Sequence, residues 1–195
     1  MKILQKKLST THTFEFQEKY FNFAYKDRSG SGDVDVAYAN LPQKSSIKID
    51  DNTWWRNAGY IWCVIGVLNM GMGIAAGDSV AGRGFWLMVG LICLAVYWAT
   101  RVKYTVLAFN GGNVFIIQDG KTHDQVLDEL MKRRKAQLLS LYGEVDLESD
   151  LEREKSKFEF LKDQGVMTQE EADAKIRQAI SVLGTSPTDG PRTLN

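Results

Sequence analysis

The sequence predicts an α+β membrane protein: an antiparallel sheet or barrel capped by a helix, with an inserted two-helix transmembrane hairpin and a C-terminal helix-turn-helix. Three observations carry this. Between Asn57 and Thr100 only Asp78 and Arg83 are charged, so 46 of the 48 charged residues fall in the other 151 positions. On either side of that region, short stretches alternate apolar and polar residues, the period of half-buried strands. Later segments repeat apolar residues at helical spacing behind capping motifs. Whole-chain averages hide the division. The 195 residues carry 24 basic and 24 acidic side chains, 44% are hydrophobic and mean hydropathy is −0.24, as in an ordinary soluble globule. Zero net charge argues against a dedicated nucleic-acid binder. Two cysteines exclude a disulfide scaffold or a multi-cysteine zinc site.

Strands come first. Residues 11–17 place Phe14 and Phe16 on one face, residues 20–26 do so with Phe21, Phe23 and Tyr25, and residues 33–39 set Val34, Val36 and Tyr38 against Asp33, Asp35 and Ala37. Gln17-Glu18-Lys19 makes a tight turn and residues 28–32 a Gly/Ser tip. A short strand with Ile47 and Ile49 follows Pro42, and residues 1–8 are a further candidate strand.

The hairpin follows, over residues 56–100. Residues 57–77 form 21 uncharged positions, about 31 Å of helix, and residues 84–100 form 17, about 25 Å. Arg83, Arg101 and Lys103 can snorkel at the ends of the shorter span. Soluble core helices rarely lack charge on every face for so long. All five tryptophans lie here: Trp54, Trp55 and Trp62 near one end, Trp86 near the other and Trp98 back at the first, joined by Tyr60 and Tyr97, as in interfacial belts. Lys44, Lys48 and Arg56 before the hairpin and Arg101 and Lys103 after it outnumber Arg83 in the loop. The positive-inside bias therefore places both termini in the cytoplasm of a multi-pass inner-membrane protein. Residues 1–8 are basic with no apolar stretch behind them, so the first span is expected to act as the insertion signal. Gly59, Gly66, Gly71, Gly73 and Gly77 permit close helix approach, and Gly73-x-x-x-Gly77 fits the small-xxx-small pattern. Asn69 reads as interhelical glue, with a pore or solute role as the alternative. Cys63 and Cys93 read as small apolar side chains in a packed interface.

The strand pattern resumes at 104–109 and 113–118 around Asn110-Gly111-Gly112, a hairpin turn because Asn-Gly tolerates positive φ. Thr122 with Gln125 reads as a capping box for a helix ending near Tyr142, with Gly143 as the stop. Residues 146–164 form a charged helix with Leu147, Leu151, Phe158 and Leu161 at core spacing. Gly165-Val166-Met167 breaks it, Thr168-Gln169-Glu170-Glu171 caps a last helix to about Leu183, and residues 184–195 read as a disordered tail.

Two resemblances arise from these residues. Antiparallel strands, then Asn110-Gly111-Gly112-Asn113-Val114-Phe115-Ile116-Ile117, Lys121-Thr122-His123-Asp124-Gln125-Val126 and Lys132-Arg133-Arg134, resemble the bacterial pleckstrin-homology-like domains over residues 1–55 and 101–143. That resemblance implies a binding or assembly scaffold without catalysis. The family's phosphoinositide-binding basic loop is not evident, because the first strand turn reads Gln17-Glu18-Lys19. The run from Phe158 to Glu171, with Lys175 and Ile176, resembles the SHOCT module, although Ala172 stands where an aromatic is usual. It implies oligomerisation or protein contact for residues 146–183.

No catalytic constellation accompanies this architecture. His12 and His123 have no companion motif, and no Walker loop, HExxH, GxSxG or dinucleotide fingerprint occurs. Asp33, Asp35 and Asp50-Asp51 read as solvated edges and turns, so no metal or cofactor is expected. Lys132-Arg133-Arg134-Lys135 is a candidate contact for anionic headgroups, or else a solvated face balanced by Asp128 and Glu129. The expectation is a non-enzymatic membrane-anchored scaffold whose partners are membrane lipids and a second copy or another membrane protein. An oligomeric channel or accessory subunit of a transport complex is the alternative.

Overall fold

The computed structural model describes residues 1–27, 29–77, 79 and 82–184. The chain is α+β, with seven strands in two antiparallel sheets and five α-helices among the described residues. The first sheet is a meander of β1 (Lys2–Lys7), β2 (Thr10–Phe16), β3 (Tyr20–Lys26) and β4 (Ser31–Ala37). The second joins β5 (Ser46–Asp50), β6 (Val102–Phe109) and β7 (Gly112–Ile117). Between β5 and β6 the chain leaves the sheet to form α1 (Thr53–Ala75) and α2 (Phe85–Thr100). After β7 come α3 (Lys121–Tyr142), α4 (Leu151–Asp163) and α5 (Gln169–Leu183).

Alternation determines which side of the first sheet is buried. Phe14, Phe16, Phe21, Phe23 and Val36 meet Leu107, Val114 and Ile116 of the second sheet and Val126 and Leu130 of α3 in one core. Phe21 sits amid Phe14, Phe16 and Tyr38, with ring centroids 5.5–6.5 Å away. Register opposes Phe14 to Phe23 and Phe21 to Val36, so each turn delivers its aromatics to the same face.

The sheets do not close into a barrel: no backbone ladder joins them. A side chain spans the gap instead. Gln5, 1% exposed on β1, donates from Nε2 to the Ile117 carbonyl at 3.0 Å and accepts from the Ile117 amide at 2.9 Å. Its carboxamide reproduces the donor–acceptor pair of a strand residue and satisfies two groups of β7.

Several local expectations need correction. The helix expected over 57–77 begins at Thr53 because Asn52 caps it, its side chain accepting from the Trp54 amide at 3.1 Å. β5 is exposed at all five positions, with Ile47 69% exposed, so it is not half-buried. The β6–β7 turn falls as expected, but the positive φ belongs to Gly112, not to Asn110 or Gly111. Thr122 does not cap α3; the helix begins one residue before it, with Gly120 as N-cap and no side-chain bond. The helix read as 146–164 starts at Leu151 behind the Asp150 cap, which leaves Leu147 exposed rather than in the core. The Thr168–Glu171 capping box forms in full. Residues 78, 80 and 81 of the loop, the tip residue Arg28 and residues 185–195 of the tail lie outside the described residues.

Candidate functional site: the helical hairpin and its foot

Three glycines govern how α1 meets α2. Gly59, Gly66 and Gly73 repeat every seven residues, close to two helical turns, and form one stripe that is the whole buried set of α1. A Cβ on Gly66 would overlap the Leu87 backbone. One on Gly59 would come within 2.7 Å of Leu94, and one on Gly73 within 2.6 Å of the Arg83 side chain. Gly90 completes the contact from α2, since a Cβ there would lie 2.5 Å from Cys63 Sγ and 2.8 Å from the Gly59 carbonyl. These pairings run in opposite directions along the two helices, so the helices are antiparallel. Without side chains on the glycines themselves, the helices approach closely.

Gly77 does not belong to this interface. Its φ is +71° with open space around it, so it serves the turn after α1, and Gly73-x-x-x-Gly77 is not a pair at the α1–α2 contact. Nor do Trp62 and Trp86 mark opposite ends, for their rings stack at 4.4 Å. Asn69 is half-buried and makes no hydrogen bond among the described residues, so it does not join α1 to α2. Cys63 and Cys93 are both free thiols. The large apolar side chains face away from the partner helix: Ile61, Val64, Val67, Leu68, Met72 and Ile74 on α1, and Met88, Leu91 and Ile92 on α2, are exposed.

At the foot, the Tyr97 hydroxyl donates to Asp51 at 2.8 Å and ties the end of α2 to the segment before α1. Trp54 and Trp55 meet edge to face at 4.9 Å, and Trp98 is exposed. Arg56 donates to Asn57 at 3.4 Å. Arg101 is half-buried with Nε unpartnered, and Lys103 is exposed. Beside them opens a cavity of about 440 Å³ lined by Leu8, Asp27, Asp50, Asp51, Trp55 and Tyr104, among others.

His12 packs against Tyr104, which lines this cavity, and is buried. It is 3% exposed, packed between Phe23 and Tyr104, with Nδ1 unpartnered. Burial lowers its pKa, opposed by the Phe115 backbone contact and the Asp27 charge. His123 bridges Thr105 and Asp124, each at 2.8 Å. Among the described residues no group of three or more His, Cys, Asp or Glu is placed to hold a metal ion.

The basic run on α3 splits in two. Lys132 and Lys135 are exposed. Arg133 bonds Glu129 and the Gln17 carbonyl, each at 2.6 Å, and lies over the Phe16 and Tyr38 rings. Arg134 is 5% exposed, donating to the Leu41 carbonyl at 2.7 Å and to the Gln164 backbone and side chain. Arg134 is therefore buried in the fold, while Arg133 stays partly exposed and bound to its neighbours at the surface. Arg134 instead fastens the end of α4 to α3, above a core of Leu138, Phe158, Leu161 and Val166.

The glycines of α1 were visible in the sequence, but which of them face α2 was not. The seven-residue spacing of 59, 66 and 73 was the available signal. Gln5, the Tyr97–Asp51 tie and Arg134 had none, because each depends on chain segments distant in sequence. No known protein family, curated protein or solved structure matches this chain.

Proposed function

We propose that the chain is a membrane-anchored, non-enzymatic scaffold: α1 and α2 cross the inner membrane as a hairpin, both termini are cytoplasmic, and the sheets and α3–α5 assemble partners. The observation that carries this is the outward-facing apolar surface of the hairpin around a glycine interior. That distribution suits lipid rather than water as solvent. α1, with 23 residues and mean hydropathy 1.6, is the one described helix long and apolar enough to cross a membrane. α2 has 16 residues, about 24 Å, and relies on flanking Arg83 and Arg101 to reach the headgroups. Sheets of four and three antiparallel strands covered by α3 support the resemblance to pleckstrin-homology-like domains, and the Thr168–Glu171 box before α5 supports the SHOCT-like one. Alkaline extraction of membranes tests the anchor, since a protein released to the supernatant is not an integral hairpin. Reporter fusions at Ser79 test the topology, where cytoplasmic activity would reverse it.

One observation favours the channel or accessory-subunit reading. The Asn69 amide has no partner within the described chain, and an amide at membrane depth takes one from a neighbouring helix. Asn69→Leu should lower oligomer mass in detergent under the scaffold reading. Under the alternative it abolishes a solute or ion flux.

A further inference from the structure

One side of the hairpin carries a polar group that nothing in the chain satisfies. Asn69 is half-buried on α1 and makes no hydrogen bond among the described residues. The two hydroxyls of α2 are committed elsewhere. Tyr97 donates to Asp51, and Thr100 donates to the carbonyls of Val96 and Tyr97 in its own helix. A carboxamide has both donors and an acceptor to satisfy, and hydrocarbon supplies neither kind of partner.

Asn69 lies beside the α1–α2 contact, not within it. It follows Gly66 by three residues, so it stands about 60° around α1 from the glycine stripe. Trp62 follows Gly59 by the same interval and shares that flank, where its ring stacks on Trp86 of α2. Trp62, Ile65, Asn69, Met72 and Ala76 succeed one another at intervals of three and four, the spacing of a coiled-coil seam. Ile65 is 39% exposed and Met72 65% exposed, so α2 leaves this seam open on both sides of Asn69. A single amide at a core position of such a seam fixes the register of the helix that packs there.

The bilayer selects the occupant. Every copy of the chain inserts in one orientation, so every copy holds its Asn69 at the same depth. A carboxamide is also its own complement, because each member of a two-fold pair donates to the oxygen of the other. A second copy therefore brings to Asn69 the group it lacks, at the level where it is needed.

We propose that two copies of the hairpin pair in the membrane along this seam, Asn69 of each bonded across a two-fold axis to its counterpart. Ile65 and Met72 pack on either side of the amide pair. The glycine stripe closes each hairpin, and the Asn69 seam joins one hairpin to the next. This rests on the reading that α1 and α2 span the membrane.

The test uses the full chain, purified and reconstituted in phosphatidylethanolamine/phosphatidylglycerol vesicles, in a Cys63→Ala/Cys93→Ala background. One cysteine is placed on the seam, as Ile65→Cys or Met72→Cys, or on another side of α1, as Val67→Cys. Oxidation with copper phenanthroline should link the chains at both seam positions and little at Val67→Cys. Adding Asn69→Leu should lower the linked fraction at Ile65→Cys about three- to tenfold, and Asn69→Gln, which restores a carboxamide, should recover most of it. Carbonate extraction of the same vesicles reads the span separately. If the chain resists carbonate but no position links, or Val67→Cys links as well as Ile65→Cys, the pairing is overturned and the span survives. A linked fraction unchanged by Asn69→Leu also overturns the pairing. If linkage occurs only in native membranes, and to a protein of another mass, the seam belongs to that protein and the second copy is overturned. Release by carbonate removes both the span and the pairing.

Discussion

The sheets and the hairpin are both rich in apolar side chains and arrange them in opposite ways. In the sheets, Phe14, Phe21 and Phe23 are fully buried, with Asp33, Lys26 and Glu15 among the residues facing outward or partly so. In the hairpin the buried residues are Gly59, Gly66, Gly73, Gly90 and Cys93, and Ile61, Val64, Val67, Leu68, Met72, Met88, Leu91 and Ile92 lie outside. Burial in the first case removes hydrocarbon from water. In the second it brings backbones together and leaves most of the large apolar side chains exposed on the outside of the pair. The glycine stripe is therefore as much a packed core as the phenylalanine cluster.

Four substitutions or conditions would break or sharpen that contrast, beginning with the largest. Phe21→Ala should cost about 3–5 kcal/mol by leaving a void amid three aromatic rings, read as a lower melting temperature in near-ultraviolet circular dichroism. An outer-face change, Val64→Lys, should cost about 2.5–3.5 kcal/mol of membrane insertion, read as a smaller carbonate-resistant fraction. If the same lysine leaves that fraction unchanged, the outer face meets water and the contrast fails. Third, Gly66→Val should cost about 1–3 kcal/mol of hairpin stability in detergent, because the added carbons meet the Leu87 backbone. Gly71→Ala, with nothing within 4 Å of the new carbon, should not. That pair separates the packed stripe from glycine content.

The smallest effect concerns pH and belongs to the sheets alone. Burial holds the His12 imidazole below its ordinary value of 6.5, so the folded chain binds a proton less readily than the unfolded one. The sheets should keep their full His12 contribution above pH 6.5 and lose it as pH falls below that toward the lower folded value. Equilibrium unfolding of the wild type and His12→Phe across that range should show the slope diminish in the variant. A wild-type slope of the opposite sign would mean that His12 is charged in the fold.

Much of the fold was legible in the residues, for reasons that differ by element. Alternation placed β2 and β3 almost to the residue, because a period of two survives wherever one face is buried. The Thr168–Glu171 box was readable because both partners lie within one turn. The failures lie where two local signals competed. Thr122 had a capping partner at the right spacing, yet Gly120 begins the helix; Leu147 had core spacing, yet Asp150 starts the helix after it. Within the candidate site, the glycines were visible but their pairing was not. A stripe can be recognised as packed only when the residues opposite it, here Leu87, Gly90 and Leu94, are known.

The sequence by itself determined the division between a charge-poor pair of helices and charge-rich flanks, the strand faces and the helix-turn-helix. Each follows from local periodicity or from runs longer than any soluble helix usually leaves uncharged. Only the tertiary structure decided that Gln5 bridges two open sheets, that Arg134 is a buried fastening rather than a surface cation, and that Trp62 stacks on Trp86. These are pairings between segments 20 to more than 100 residues apart, and no local pattern encodes which distant group will satisfy a side chain.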